Sequence, residues 1–187
     1  MKSKNIWFTC CTHYNHENIL KFNNWAGELE RPEFSNVNEM NECLMDSWNE
    51  VVKPDDTVYH LGDVFFGDHA KFEKDFRKFN GNKRLVLGNH DNIKYLASTN
   101  FFSRIYTDIT LSDYGIFVSH RPSHESQMYD YRNQKNLVNV HGHIHRNPSP
   151  SERHYNVCVE QSNYYPVNLD TIVEYVNNYN DSIAESV

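Results

Sequence analysis

Arg84-Leu85-Val86-Leu87-Gly88-Asn89-His90-Asp91 is a short apolar run that ends on a glycine and passes directly into an amide, an imidazole and a carboxylate. Four other runs behave in the same way. Residues 6–9 lead into His13, 57–61 into Gly62-Asp63, 115–119 into His120, and 137–141 into Gly142-His143-Ile144-His145. Each ending supplies a side chain able to hold a metal ion. Ligands of open α/β sheets gather beyond the carboxyl ends of the strands, so this pattern predicts an α/β fold with its site at those ends.

Composition bounds the rest. A chain of 187 residues can bury one core without disulfide or metal staples, and residues 1–187 are expected to form a single domain. The mean hydropathy of -0.76 and the lack of any run of transmembrane length argue against a membrane protein. The segment Met1-Lys2-Ser3-Lys4-Asn5 passes straight into a strand-like run without the apolar stretch of a secretory signal, so a cytoplasmic location is expected. Cys10, Cys11, Cys43 and Cys158 are too few and too irregular for a disulfide framework. A formal charge of -7 disfavours long nucleic acid as a partner, because backbone binders draw their affinity from a basic face. Eleven histidines suggest metal or proton chemistry.

The layout is a βα alternation followed by a β-rich half. Val37, Met40, Leu44, Met45, Trp48, Val51 and Val52 recur at helical spacing, and Asn36 with Glu39 resembles a capping box, which predicts a helix over 37–52. Phe72, Phe76 and Phe79 form one apolar stripe between Asp68, a candidate N-cap, and the turn Asn80-Gly81-Asn82. Beyond Asp91 the sequence reads as alternating stretches at 105–111, 114–119, 137–141 and 155–159. Leu169, Ile172, Val173, Val176 and Tyr179 mark a last helix, and 181–187, without periodicity, is expected to fray.

Hydrolysing a phosphate ester requires charge stabilisation on nonbridging oxygens, a nucleophile at neutral pH and help for the leaving alkoxide, all of which two metal ions can supply together. Such a pair needs a bridging carboxylate. Asp63 suits that role, with Gly62 letting the backbone turn tightly at the strand end. Asn89 offers an amide oxygen, and His13, His120, His143 and His145 offer neutral imidazoles, a ligand type that favours Mn, Fe, Zn or Ni over Ca.

The ordered set His13, Gly62-Asp63, Gly88-Asn89-His90-Asp91, His120 and Gly142-His143-Ile144-His145 resembles the calcineurin-like metallophosphoesterase superfamily. The likeness spans roughly residues 5–170, and Ile6-Trp7-Phe8-Thr9, His16-Glu17-Asn18-Ile19 and Tyr165-Pro166-Val167 are similar to small bacterial and phage members. The resemblance implies a four-layer α/β/β/α sandwich and two divalent transition metal ions bridged by Asp63. One ion would take His13 and His145, the other Asn89, His120 and His143. It further implies a metal-activated hydroxide in line with the scissile bond, His90 beside the leaving-group oxygen, and Asp91 orienting His90.

The chain departs from that pattern at Thr9-Cys10-Cys11-Thr12-His13, where the family carries an aspartate and this sequence has Cys11. Three readings follow. Cys11 is a thiolate ligand that favours Zn or Fe, the His13/His145 ion binds weakly or not at all, or the chain has lost catalysis and kept the fold.

Other residues have plainer readings. His60, His69, His141 and His154 read as structural or surface histidines. His16 is a candidate substrate contact or a turn residue, and Arg121 either pins a phosphate oxygen or is a solvated loop arginine. The polar stretch 123–135, with His124, Tyr129, Tyr131 and Arg132, is a candidate substrate loop or a simple surface loop, and 146–153 reads as a connection. The leading expectation is a metal-dependent phosphoesterase, a phosphatase or phosphodiesterase, acting on a small phosphomonoester or phosphodiester, with nucleotides among the candidates. The alternative is a catalytically weak form of the same fold serving as a binding module.

Overall fold

The computed structural model describes residues 5–185. Its first half alternates as the sequence predicts. Strand β1 (Ile6–Thr9) is followed by helix α1 (Val37–Val51), β2 (Thr57–His60), α2 (His69–Phe76), β3 (Asn82–Val86), a short helix α3 (Ile93–Ser98) and β4 (Phe102–Tyr106). The second half holds β5 (Asp108–Leu111), β6 (Ile116–Ser119), the small hairpin of β7 (Tyr129–Asp130) and β8 (Lys135–Asn136), then β9 (Val138–His141), β10 (His154–Asn156), β11 (Val167–Asn168) and α4 (Leu169–Ala184).

Two mixed sheets result. The first has the order β11-β1-β2-β3-β4, with β1 through β4 parallel and β11 antiparallel to β1. The second has the order β10-β9-β6-β5, in which β6, β9 and β10 are parallel and β5 is antiparallel. Because side chains alternate along a strand, β1, β2 and β3 each serve two cores. Trp7, Val58 and Leu85 face α1 and α2, packing with Met40, Leu44, Trp48, Phe72 and Phe76. Phe8, Tyr59 and Val86 face the second sheet, meeting Ile116, Val118, Val138 and Val140, and α4 joins this core through Leu169, Ile172 and Val176. The chain is therefore an α/β fold in which two mostly parallel sheets are flanked by helices.

The helix starts are built as their sequences suggest. Asn36 Oδ1 accepts from the backbone N–H of Asn38 and Glu39, and Glu39 reaches back to Ser35 N. Asp68 caps α2 through Ala70 N and Lys71 N. Three features differ from the sequence reading. The stretch 105–111 is not one strand, since the chain breaks at Thr107 and gives β4 to the first sheet and β5 to the second. Helix α3, capped by Asn92, is too short to display a helical period. Helix α4 continues through Ala184 past the end of its apolar stripe, carried by backbone bonds such as Glu185 N to Asp181 O. Residues 186–187 of the expected frayed tail lie outside the described residues.

Candidate metal centre

The carboxyl ends of β1, β2, β3, β6 and β9 converge on one edge. Backbone bonds lace these ends together: Cys11 N donates to Gly62 O at 3.0 Å, His13 N to Asp63 O at 3.0 Å, and Gly142 N to His120 O at 2.9 Å. The turns are tight, and Cys11, His13, Asp63, His143 and His145 all have positive φ, between 46° and 70°. Non-glycine residues avoid that region, so at these five candidate ligands the surrounding structure overrides local preference. Gly62 and Gly88 allow the closest approach. A Cβ on Gly88 would collide with Asp63 N and Oδ1, and one on Gly62 would collide with the backbone of Gly88.

Two donor groups form around Asp63. Cys11, His13 and His145 place ligand atoms within 4.8 Å of one another, and so do Asp63, His120 and His143. Asp63 Oδ2 lies 3.7 Å from His13 Nε2 and 3.5 Å from His120 Nε2, so one carboxylate oxygen stands between the groups. Donors about 2.1 Å from one tetrahedral ion are about 3.4 Å apart, close to both distances. Asn89 Oδ1 is 3.0 Å from His120 Nε2 and joins the second group. The structure thus brings together every ligand position the sequence nominated.

Supporting contacts select the nitrogen that His120 and His145 present. His120 Nδ1 lies 2.6 Å from Leu61 O, a contact in which it donates, leaving Nε2 for the site. His145 Nδ1 sits 2.9 Å from Glu160 Oε1, and Glu160 is itself paired at 2.7 Å with Arg31, the Arg31 and Glu160 side chains being fully buried. Burial alone would lower the His145 pKa, but the Glu160 carboxylate overrides it and lifts the value to about 9 in the ion-free protein. Burial and the nearby Arg31 charge hold His13 well below the usual imidazole range, as a neutral ligand must be. Burial, then His120, lowers His143 to about 4. Both ring nitrogens of His13 are buried without a hydrogen-bond partner, a cost that a coordinated cation would remove. The donor set therefore fits divalent metal ions.

Cys11 occupies the place of the missing carboxylate. Its Sγ accepts from His143 N at 3.2 Å and lies 3.3 Å from Cys10 Sγ. Burial pushes its thiol pKa well up. Cys10 and Cys158 are buried beside it, and a Cβ on Gly142 would collide with Cys10. Cys10, Cys11 and His120 form a third group of close donors, but His120 enters it through the nitrogen already committed to Leu61.

One implied role is corrected. Asp91 does not orient His90. Its carboxylate accepts from Asp63 N at 3.0 Å, Gly88 N at 2.8 Å and Val64 N at 3.0 Å, and so pins the β2 and β3 exits together. His90 donates its backbone N–H to Asp63 Oδ1 at 2.9 Å, and its exposed ring lies 6.1 Å from that of His13. His16 stacks on Phe66 at 4.0 Å along one wall of the site. Arg121 borders a cleft beside Asn89 and His120, together with Ser123 and Gln127 of the 123–135 stretch, whereas Tyr131 and Arg132 do not reach it. His60, His141 and His154 are held by structural partners, Thr12, Ser149 and Ser151 respectively, and His69 stacks on Tyr95. Sequence reasoning missed Glu160 and Arg31, which pair across 129 positions of sequence.

Two layered sheets thus carry two histidine-rich donor groups at their shared edge, with the Asp63 carboxylate between them. The sequence profile of the calcineurin-like phosphoesterase superfamily domain matches residues 40–162, and the chain belongs to that superfamily. It is 34% identical over 185 residues to an uncharacterised protein of Methanocaldococcus jannaschii, covering 94% of this chain and 93% of that protein. The Gene 66 protein of Mycobacterium phage L5 is 37% identical over 92 residues, 46% of this chain and 40% of the phage protein. The crystal structure of a protein of unknown function from Aquifex aeolicus superposes with a TM-score of 0.67 at 26% identity, covering 92% of this chain and 99% of that one.

Proposed function

We propose that the chain hydrolyses a small phosphomonoester or phosphodiester at this edge, in a reducing, cytoplasmic compartment that keeps the adjacent Cys10 and Cys11 as thiols. The observation that carries the reading is the position of Asp63 Oδ2 between His13 Nε2 and His120 Nε2. Cys11, His13 and His145 would hold one divalent ion, and Asn89, His120 and His143 the other, with Asp63 shared; imidazole and thiol donors favour Mn, Fe, Zn or Ni. When bound, such a pair supplies Lewis-acid stabilisation of phosphoryl oxygens and a nucleophile at neutral pH.

The chain's own residues set the rest. Asp91 clamps the β2 and β3 exits so that Asp63 and Asn89 keep their relative placement. Glu160 fixes the His145 ring and holds the proton on Nδ1, leaving Nε2 to ligate. His90, exposed at the mouth and tied to Asp63 by its backbone, is placed to hand a proton to the leaving oxygen. The test is hydrolysis of bis(p-nitrophenyl) phosphate by chelator-stripped protein as Mn, and separately Zn, is added back. Restored turnover is expected. Folded protein inert with both ions would overturn the reading in favour of a binding module.

A further inference from the structure

The ion-binding edge opens on two sides, and the two sides differ chemically. Beyond Asn89 and His120 the cleft of about 360 Å³ is polar, with Arg121, Ser123 and Gln127 on its rim. A second cleft with no lining residue in common, also about 360 Å³, runs from Asp63, His143 and His145 to Ile19, Phe22 and Phe66. Neither lysine nor arginine lines it. Its volume lies within the range of small-ligand sites.

The apolar wall is built, not incidental. Phe66 is tied into the first motif by its N–H to Tyr14 O at 2.8 Å, and its ring lies parallel to His16 at 4.0 Å and to His13 at 5.2 Å. Phe22 meets His16 edge-on at 5.6 Å, yet remains 48% exposed. An aromatic residue left half in water beside ligand-competent histidines presents a ring surface that the fold's own core does not use. Planar groups bind such surfaces by stacking or edge-to-face contact, and the wall offers no lysine or arginine to hold a second phosphate.

We infer that this wall is an aryl subsite: the phosphate ester carries a flat aromatic substituent, which packs against Phe22 and Phe66 while its phosphate meets Asp63's side of the ion pair. The inference rests on the phosphoesterase reading above and names the substrate class it leaves open. A chain of phosphates or an aliphatic sugar phosphate would leave the wall exposed.

Phenylphosphonate and methylphosphonate present the same anion with and without a ring. Their affinities for Mn-loaded protein, measured by calorimetry, are expected to differ by about tenfold in favour of the ring, the scale of one aromatic contact plus the area it covers. In Phe22→Ala and in Phe66→Leu the ratio is expected to fall toward unity, and a ratio cancels any shared change in ion loading. Equal affinities in the native protein, a ratio preserved in both variants, or no binding of either phosphonate would overturn the subsite. Turnover of bis(p-nitrophenyl) phosphate on the same samples separates the two claims. Turnover without ring preference removes the subsite alone, and ring preference without turnover retains the subsite and removes the hydrolytic reading.

Discussion

Replacing Glu160 by glutamine keeps the side chain's shape and removes only its charge. In the native chain that charge sits between the Arg31 guanidinium, at 2.7 Å, and His145 Nδ1, at 2.9 Å, with the Arg31 and Glu160 side chains both at zero exposure. Burial alone would raise the Glu160 pKa, but Arg31 and then His145 pull it down to about 2. A carboxyl held there, against an ordinary value near 4.3, is worth about 3 kcal/mol. The independent expectation for breaking a buried pair by removing one partner is about 3 to 5 kcal/mol. Arg31 keeps its bonds to Thr12 O and Cys11 O, which favours the lower end. With a urea m-value of about 2 kcal/mol/M, the unfolding midpoint of the apo protein should fall by about 1.5 M. Affinity for the ion at Cys11, His13 and His145 should fall by about tenfold, because the ring loses its charged orienting partner. Since the folded pKa is depressed, this stability is present above the ordinary carboxylate value and is lost as pH falls from about 4.3 toward 2. A midpoint shift below about 0.3 M, with unchanged ion affinity, would refute the triad as a structural and orienting unit.

Other substitutions separate ligation from proton transfer and from loop geometry. His90→Ala should slow bis(p-nitrophenyl) phosphate turnover by about 10²-fold or more while ion content measured by mass spectrometry stays at the native level, and an unchanged rate would remove His90 from the mechanism. Asp91→Ala frees three backbone N–H groups at the β2 and β3 exits and should cost about 1 to 3 kcal/mol in urea unfolding; full stability would refute the clamp. Gly88→Ala drives a Cβ into Asp63 and should abolish tight ion binding by calorimetry, whereas native affinity would show that Asp63 does not bridge.

Much of this was legible in the sequence because the information is local. Asn36 and Asp68 announce helix starts by their own side-chain chemistry, and the apolar runs before His13, Asp63, Asn89, His120 and His143 are strand exits followed within a few residues by candidate ligands. What escaped was set by distant partners. Asp91 adjoins His90 in sequence, yet its carboxylate is claimed by backbone groups from two strand exits, an arrangement no spacing rule expresses. Arg31 and Glu160 look like ordinary charged residues until the fold buries them together. The switch of sheets at Thr107 leaves no mark because an extended chain reads alike in either sheet. The aromatic wall needed Phe22 and Phe66 to be brought beside His16 by turns with no periodic signature.

The most direct test of a shared two-ion centre is anomalous diffraction from crystals of Mn-loaded protein. The account predicts two peaks about 3.5 to 4 Å apart, one bounded by Cys11, His13 and His145, the other by Asn89, His120 and His143, with Asp63 contacting both. A single peak, or density centred among Cys10, Cys11 and His120, would contradict it.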